Sequence, residues 1–161
     1  MNTVTYEDIW RALEEVKDPE IPVVSLVEMG IVRGVALAGG RAIITMTPTF
    51  LGCPALHMMK ANIKERLLRL GVDAVDVRES LSPPWSTDWI SEEARRKLKD
   101  FGLAPPPKHS GDEQVLLAEA ARCPYCDSEN TVLKNAFGPT LCRSIYVCND
   151  CRQPFEQFKP L

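Results

Sequence analysis

Apolar residues recur at helical spacing in some stretches of the chain and alternate with polar ones in others, and the changes of period mark out its elements. Ile9, Trp10, Leu13 and Val16 fall on one face of a helix, and Thr5 with Asp8 three residues on supplies a cap at its start. Pro19 ends that helix by biasing Asp18 away from helical geometry. Residues 31–37 and 42–46 read as strands. Between them Ala38-Gly39-Gly40-Arg41 offers the positive backbone dihedrals of a tight turn, so the pair is expected to form an antiparallel hairpin. A second helix carries Leu56, Met59, Ile63, Leu67 and Leu70 as its apolar stripe and stops at Gly71. Residues 72–77 alternate and predict a third strand with one solvated face. Ser91, followed by Glu92 and Glu93, starts a third helix with Ala94 and Leu98 inward and its basic residues outward, ended by Gly102.

Beyond it, Ala104-Pro105-Pro106-Pro107-Lys108-His109 has the composition of a stiff, extended linker, in which His109 is expected to be solvated. Taken as residues 104–118, the linker divides the chain into a mixed α/β domain over 1–103 (helix, hairpin, helix, strand, helix) and a small β-rich module over 119–161, an α+β protein.

The cysteines give that module its character. Of six, five fall between Cys123 and Cys151, and four form the pairs Cys123-Pro124-Tyr125-Cys126 and Cys148-Asn149-Asp150-Cys151, with 21 residues between the pairs. Two such turns brought together by a small sheet complete a tetrahedral metal site, which a module with little core of its own needs in order to fold. Zinc is the expected ion; iron fits the same four-thiolate cage. Thr131 to Lys134, Ser144 to Val147 and Pro154 to Phe158 are its expected strands. Cys142 is left over, as a buried filler or a second reactive sulfur. The beginning of the sequence has neither the basic nor the apolar region of a signal peptide, and no apolar run approaches a membrane span, so a cytoplasmic location is expected. A formal net charge of -3 argues against nucleic-acid binding by charge.

The remaining cysteine stands in Thr47-Pro48-Thr49-Phe50-Leu51-Gly52-Cys53-Pro54, where the second strand gives way to the second helix. With Pro54 at the first helical position, Cys53 would face unpaired backbone N–H groups that favour a thiolate. It can equally be a small buried apolar residue. His57, four residues on, can pair with it as base or fellow ligand, or simply pack. Asp18-Pro19-Glu20-Ile21-Pro22 sets two carboxylates close together, suited to a cation or to acid–base work, or to a surface turn. Trp85 and Trp89 can form a docking patch, a lid, or part of a core.

The acidic turn, the Met29-Gly30-Ile31-Val32 segment and the Thr49-x-x-x-Cys53-Pro54 loop resemble the MIP18 family (domain of unknown function 59), over roughly residues 5 to 100. Joined to a ribbon containing Phe137-Gly138-x-Thr140-x-Cys142, the chain resembles the accessory D subunits, also called J, of bacterial phenylacetyl-CoA epoxidases. The resemblance implies a non-catalytic accessory factor that assists iron–sulfur or iron-site assembly. Its partners would be the epoxidase's reductase or oxygenase components or iron–sulfur assembly proteins, and a homodimer is compatible with it. Cys53, Asp18, Glu20 and Thr49 become the expected functional residues, with iron or a cluster held transiently at Cys53. A structural subunit docked on the oxygenase is the alternative. The sequence has neither the paired Glu-x-x-His helices of a diiron site nor a flavin or ferredoxin signature, so the epoxidation itself is not expected of it.

Overall fold

Thr5 opens the first helix, α1 (Tyr6–Glu14), with a reciprocal cap: its hydroxyl accepts the Asp8 N–H at 3.2 Å and the Asp8 carboxylate accepts the Thr5 N–H at 3.0 Å. The computed structural model describes residues 4–117 and 121–161, and the chain packs as two compact units, one ending at Trp85 and the other beginning at Ser86.

In the first unit α1 buries Ile9 and Leu13 and packs against α2 (Leu56–Leu70), and Arg66 of α2 donates to the Glu15 carboxylate at 2.9 and 2.7 Å. The irregular stretch that follows α1 is a core element. Ile21, Val24, Leu26, Met29 and Ile31 are buried, and Ser25 and Glu28 cap each other's backbone N–H at 3.0 and 2.8 Å. Trp85 is buried with its indole N–H on the Met29 carbonyl at 2.9 Å, which decides for core and against a lid or docking patch. The hairpin forms as predicted: β1 (Val32–Ala38) runs antiparallel to β2 (Arg41–Met46), turning at Gly39 and Gly40 with φ of 55° and 76°. A side chain at position 40 would also strike the Asp73 carboxylate. The third strand, β3 (Ala74–Glu79), lies parallel to β2, with α2 as the crossover, in the order β1-β2-β3. It starts two residues later than the alternation predicts because Val72 still belongs to the helix cap. Gly71 turns left-handed at φ 104°, and the Val72 N–H returns to Leu67 O at 3.2 Å.

The second unit contains the third helix, α3 (Glu92–Asp100), capped by Ser91, and a short strand β4 (Leu103–Ala104). After α4 (Glu113–Leu117) come the ribbon strands β5 (Thr131–Asn135), β6 (Arg143–Cys148) and β7 (Pro154–Phe158), in the order β4-β7-β6-β5. Tyr146 stacks on Phe155 at 5.7 Å in its small core. The division therefore falls at Trp85/Ser86, whereas the composition pointed to a linker over 104–118. Leu103 and Ala104 pair with β7, and Pro106 and His109 are buried. The expected start of the ribbon at 119 lies outside the described residues.

His109 is a latch and not a solvated side chain. Its Nδ1 accepts the Gly111 N–H at 2.9 Å, which leaves Nε2 to donate to the Leu161 main-chain oxygen at 2.9 Å. Asp88 holds the same turn by accepting the N–H groups of His109 and Ser110 at 3.0 and 2.7 Å. Burial pushes the Asp88 carboxyl up, but those two donors and the nearby His109 and Arg95 hold it below the usual carboxylate range.

Arg95 also departs from the amphipathic pattern, which turned the basic residues of α3 outward. It is buried and donates to Ile90 O at 3.4 Å, to Thr87 O at 2.7 Å and to Pro106 O, so it ties the Pro-rich segment to α3. Arg95→Ala strands three main-chain acceptors and is expected to lower the unfolding free energy of this unit by about 3 kcal/mol, read by denaturant titration of the metal-loaded chain. A loss below about 0.5 kcal/mol, typical of a solvent-exposed site, contradicts this role.

Candidate functional site

Two sites follow from these elements, one of four sulfurs and one of a single sulfur. The Cys-x-x-Cys turns are built alike. The N–H of the first cysteine of each pair bonds five residues ahead, Cys123 to Ser128 O at 2.9 Å and Cys148 to Gln153 O at 3.0 Å. The residue after each second cysteine is left-handed, Asp127 at φ 61° and Arg152 at φ 64°. The sheet then faces the turns toward each other: Cys123 Sγ lies 3.6 Å from Cys151 Sγ and Cys126 Sγ lies 3.5 Å from Cys148 Sγ. All four sulfurs lie within 4.8 Å of one another. A tetrahedron with metal–sulfur bonds near 2.3 Å has edges of about 3.8 Å, so the donor set fits a four-coordinate ion. Among the described residues no other group of three or more His, Cys, Asp or Glu side chains gathers this way.

Residues inside and after the turns lock them together. Asp150 accepts from Ser128 Oγ and, at 2.9 Å, from Asn130 Nδ2, while Asn149 Nδ2 donates to Asn130 Oδ1 at 2.9 Å. The Ser128 and Asn130 bonds hold the Asp150 carboxyl below its ordinary range. Spacing alone does not single out Ser128, Asn130 and Asp150; polar residues within and just after a Cys-x-x-Cys turn are the signal that could have found them. The Ser128 N–H pulls the Cys126 thiol down, but burial and the sulfurs of Cys148, Cys151 and Cys123 push it up to about 12. The N–H groups of Cys151 and Asp150, with Cys126, bring the Cys148 thiol down to about 7 against burial. One negative charge is thus easily held, on Cys148, whereas the thiols of Cys126 and Cys151 are pushed up and are helped to ionise by a cation at the centre.

Cys53 occupies a different environment. Gly52 turns left-handed at φ 76°, the Cys53 N–H reaches Phe50 O at 3.4 Å, and Leu56 N–H returns to Cys53 O at 3.1 Å. The helix cap is Ala55, so Cys53 lies two residues ahead of it and Pro54 is not the first helical position; the polypeptide makes an extra turn first. The sequence reading that put Cys53 directly at the helix start is thus displaced by two residues. The sulfur is half-buried, neither sealed in the core nor fully in water. His57 is exposed on α2, and the helical i,i+4 relation to Cys53 is absent because Cys53 is outside the helix. Thr49 lines a cavity of about 170 Å³ with Thr47, Pro48, Phe50, Leu51, Leu81, Pro84 and Trp85, none of them charged.

Asp18 is 6% exposed and accepts the N–H groups of Glu20 and Ile21 at 2.8 and 3.1 Å, so at least one carboxylate oxygen caps the turn. It borders another groove, with Lys17, Met58, Asn62, Glu65 and Arg66, that shares no residue with the Thr49 cavity. Glu20 is half-buried beside it. Cys142 is half-buried at the far end of β6 with Thr140 Oγ1 3.1 Å from its sulfur, and it is not among the clustered metal ligands.

Comparison with known proteins assigns a class to this pairing of units. Residues 6–77 match the family described as "Iron-sulfur cluster assembly protein", and residues 107–159 match the "PaaD zinc beta ribbon domain". The chain is 40% identical over 152 residues to the putative 1,2-phenylacetyl-CoA epoxidase D subunit of Escherichia coli, covering 94% of this chain and 91% of that protein. It belongs to that family of epoxidase D subunits, a two-part iron–sulfur assembly domain and zinc ribbon. An "Fe-S protein maturation auxiliary factor" of Porphyromonas gingivalis is 36% identical over 96 residues, 58% of this chain and 90% of that one. The crystal structure of a domain of unknown function DUF59 from Bacillus anthracis superposes with a TM-score of 0.54 at 33% identity, covering 57% of this chain and 89% of that one. No described helix is long and apolar enough to cross a membrane.

Proposed function

We propose that this chain is a cytoplasmic accessory factor of a phenylacetyl-CoA epoxidase. Cys53 takes up iron or an iron–sulfur cluster transiently and passes it to the epoxidase component that carries such a cluster, while Cys123, Cys126, Cys148 and Cys151 hold a structural zinc. The observation that carries the reading is the partition of sulfur. A tight thiol cage suited to a permanent ion sits in the ribbon, and a lone half-buried thiol sits in an uncharged loop of the assembly domain.

A single thiolate is a poor resident site, because cluster cages take four ligands. That weakness suits transfer: the cargo stays only while a client or a second copy supplies the other ligands, and leaves with whichever partner offers more. Four thiolates in a tetrahedron suit zinc, which adds no redox chemistry and needs no open position when its role is structural. The reading gives the chain no part in the epoxidation. Its test is the reductase component purified from cells with and without this chain. Iron and acid-labile sulfide per reductase fall in its absence and return when it is resupplied; full cluster content without it overturns the reading in favour of a docking subunit with no maturation role.

A further inference from the structure

The ribbon's free end carries side chains that neither the cage nor the core explains. Residues 136–142 link β5 to β6 at the end away from the metal ligands; Arg143, which starts β6, lies five residues from Cys148, about 17 Å at the rise of a strand. This loop is firmly braced. Asn135 Oδ1 accepts the Phe137 N–H at 2.9 Å, Arg143 O accepts the Gly138 N–H at 2.8 Å, and Cys142 O accepts the Lys159 N–H at 2.9 Å. A side chain at position 138 would come within 3.1 Å of the Arg143 main-chain oxygen, so the crossing favours glycine. Yet this ordered loop holds Phe137 67% exposed and Leu141 55% exposed. An aromatic side chain fixed in water on a rigid loop has already lost the freedom that binding would remove, which is how a contact anchor is built.

Charge around the tip indicates what covers it. The Lys159 ammonium sits over the Phe137 ring, 4.8 Å from its centre. Residues 131–147 contain Lys134 and Arg143 and no acidic residue, and Glu156 on β7 is paired with Arg143 at 2.9 Å. The complement of such a tip is an apolar socket rimmed by carboxylates. The relatives narrow the partner. The Porphyromonas gingivalis maturation factor is 90% accounted for by its 96-residue match, which leaves no room for a second, ribbon-sized domain, whereas the relative spanning 94% of this chain carries the epoxidase name. The ribbon is the part that goes with the epoxidase.

We propose that the tip formed by Phe137 and Leu141 docks this chain on the epoxidase's iron–sulfur reductase component, with both side chains in an apolar socket and Lys159 on its acidic rim. The inference rests on the client reading above. The test is the affinity of the full-length, metal-loaded chain for the purified reductase component at low and high salt. Phe137→Ser and Leu141→Ser each weaken binding about tenfold or more. Lys159→Glu weakens it and flattens its salt dependence. Val132→Ala, an exposed position toward the metal end of the ribbon, leaves it unchanged, and every variant keeps the wild-type metal content. Wild-type binding that Phe137→Ser and Leu141→Ser leave intact overturns the docking surface and spares the client reading. A wild-type chain that does not bind the reductase overturns both. If Phe137→Ser instead abolishes binding to vesicles of mixed zwitterionic and anionic lipid and leaves reductase binding alone, the tip serves a membrane and the proposal fails.

Discussion

Cys53→Ser is expected to leave the chain folded and its ribbon metal in place, yet to lower the cluster content of the co-produced reductase component about tenfold, to near the level expected without this chain. Serine differs from cysteine by one atom, and the loop around it is shaped by backbone: the left-handed Gly52 and the hydrogen bonds from Cys53 N–H to Phe50 O and from Leu56 N–H to Cys53 O. None of these depends on the sulfur. A hydroxyl is a far weaker ligand for iron than a thiolate, so cargo binding fails while structure persists. Iron and sulfide analysis of the reductase, beside the zinc content of the variant, reads both at once; normal cluster content would remove Cys53 from the function. Asp18 is separable in the same assay. Asp18→Asn keeps an oxygen to cap Glu20 and Ile21, and Asp18→Ala does not. If the carboxylate only shapes the turn, the Asn variant matures the client normally and the Ala variant loses about 1 kcal/mol of stability. If its charge serves the cargo, both fail.

Cys148→Ser is expected to have the largest structural effect of any single substitution. It removes a sulfur whose thiol is pulled down to about 7, and it opens a cage of the kind whose ion supplies on the order of 10 kcal/mol of folding free energy in comparable modules. The second unit loses its metal and its sheet, seen as loss of β signals in NMR spectra. The first unit, which has its own buried core, is expected to remain. Cys142→Ser, outside the cage, leaves metal content unchanged. Acid acts in the same direction as the mutation. Metal binding requires thiolates, and in the metal-free cage the Cys148 thiol titrates at about 7 and the Cys126 thiol at about 12. Affinity therefore rises with pH and falls as protons compete below neutrality. An apparent metal affinity, measured by competition with a chelator, that does not change between pH 8 and pH 5 would contradict a four-thiolate site.

Much of this architecture was legible in the residues themselves, because local rules and tertiary packing agree there. The Thr5 and Ser91 caps, the Gly39-Gly40 turn and the two Cys-x-x-Cys pairs each force one backbone geometry, and each stands where expected. The misreadings share a cause. Prolines and a histidine look like a spacer in isolation, but Arg95 and Asp88, which bind that segment, are 11 and 21 residues away from their partners in it. Arg95 looked like a surface residue because composition cannot tell a cation in water from one that donates to buried carbonyls. Cys53 reads as a helix terminus in the sequence because nothing in Cys53-Pro54-Ala55 announces an extra turn before the cap. The N–H groups that Asp18 caps lie only two and three residues on, which is why this turn was readable from the sequence.

The Leu161 main-chain oxygen takes the Thr87 N–H at 2.9 Å together with the Ser86 hydroxyl at 3.1 Å and His109 Nε2 at 2.9 Å. The stretch that begins the second unit is thereby buttoned to residue 161, so the polypeptide there closes into a ring. Protease nicking anywhere between Ser110 and Leu117 would sever one covalent link and leave both fragments gripping each other, migrating together until denaturant separates them.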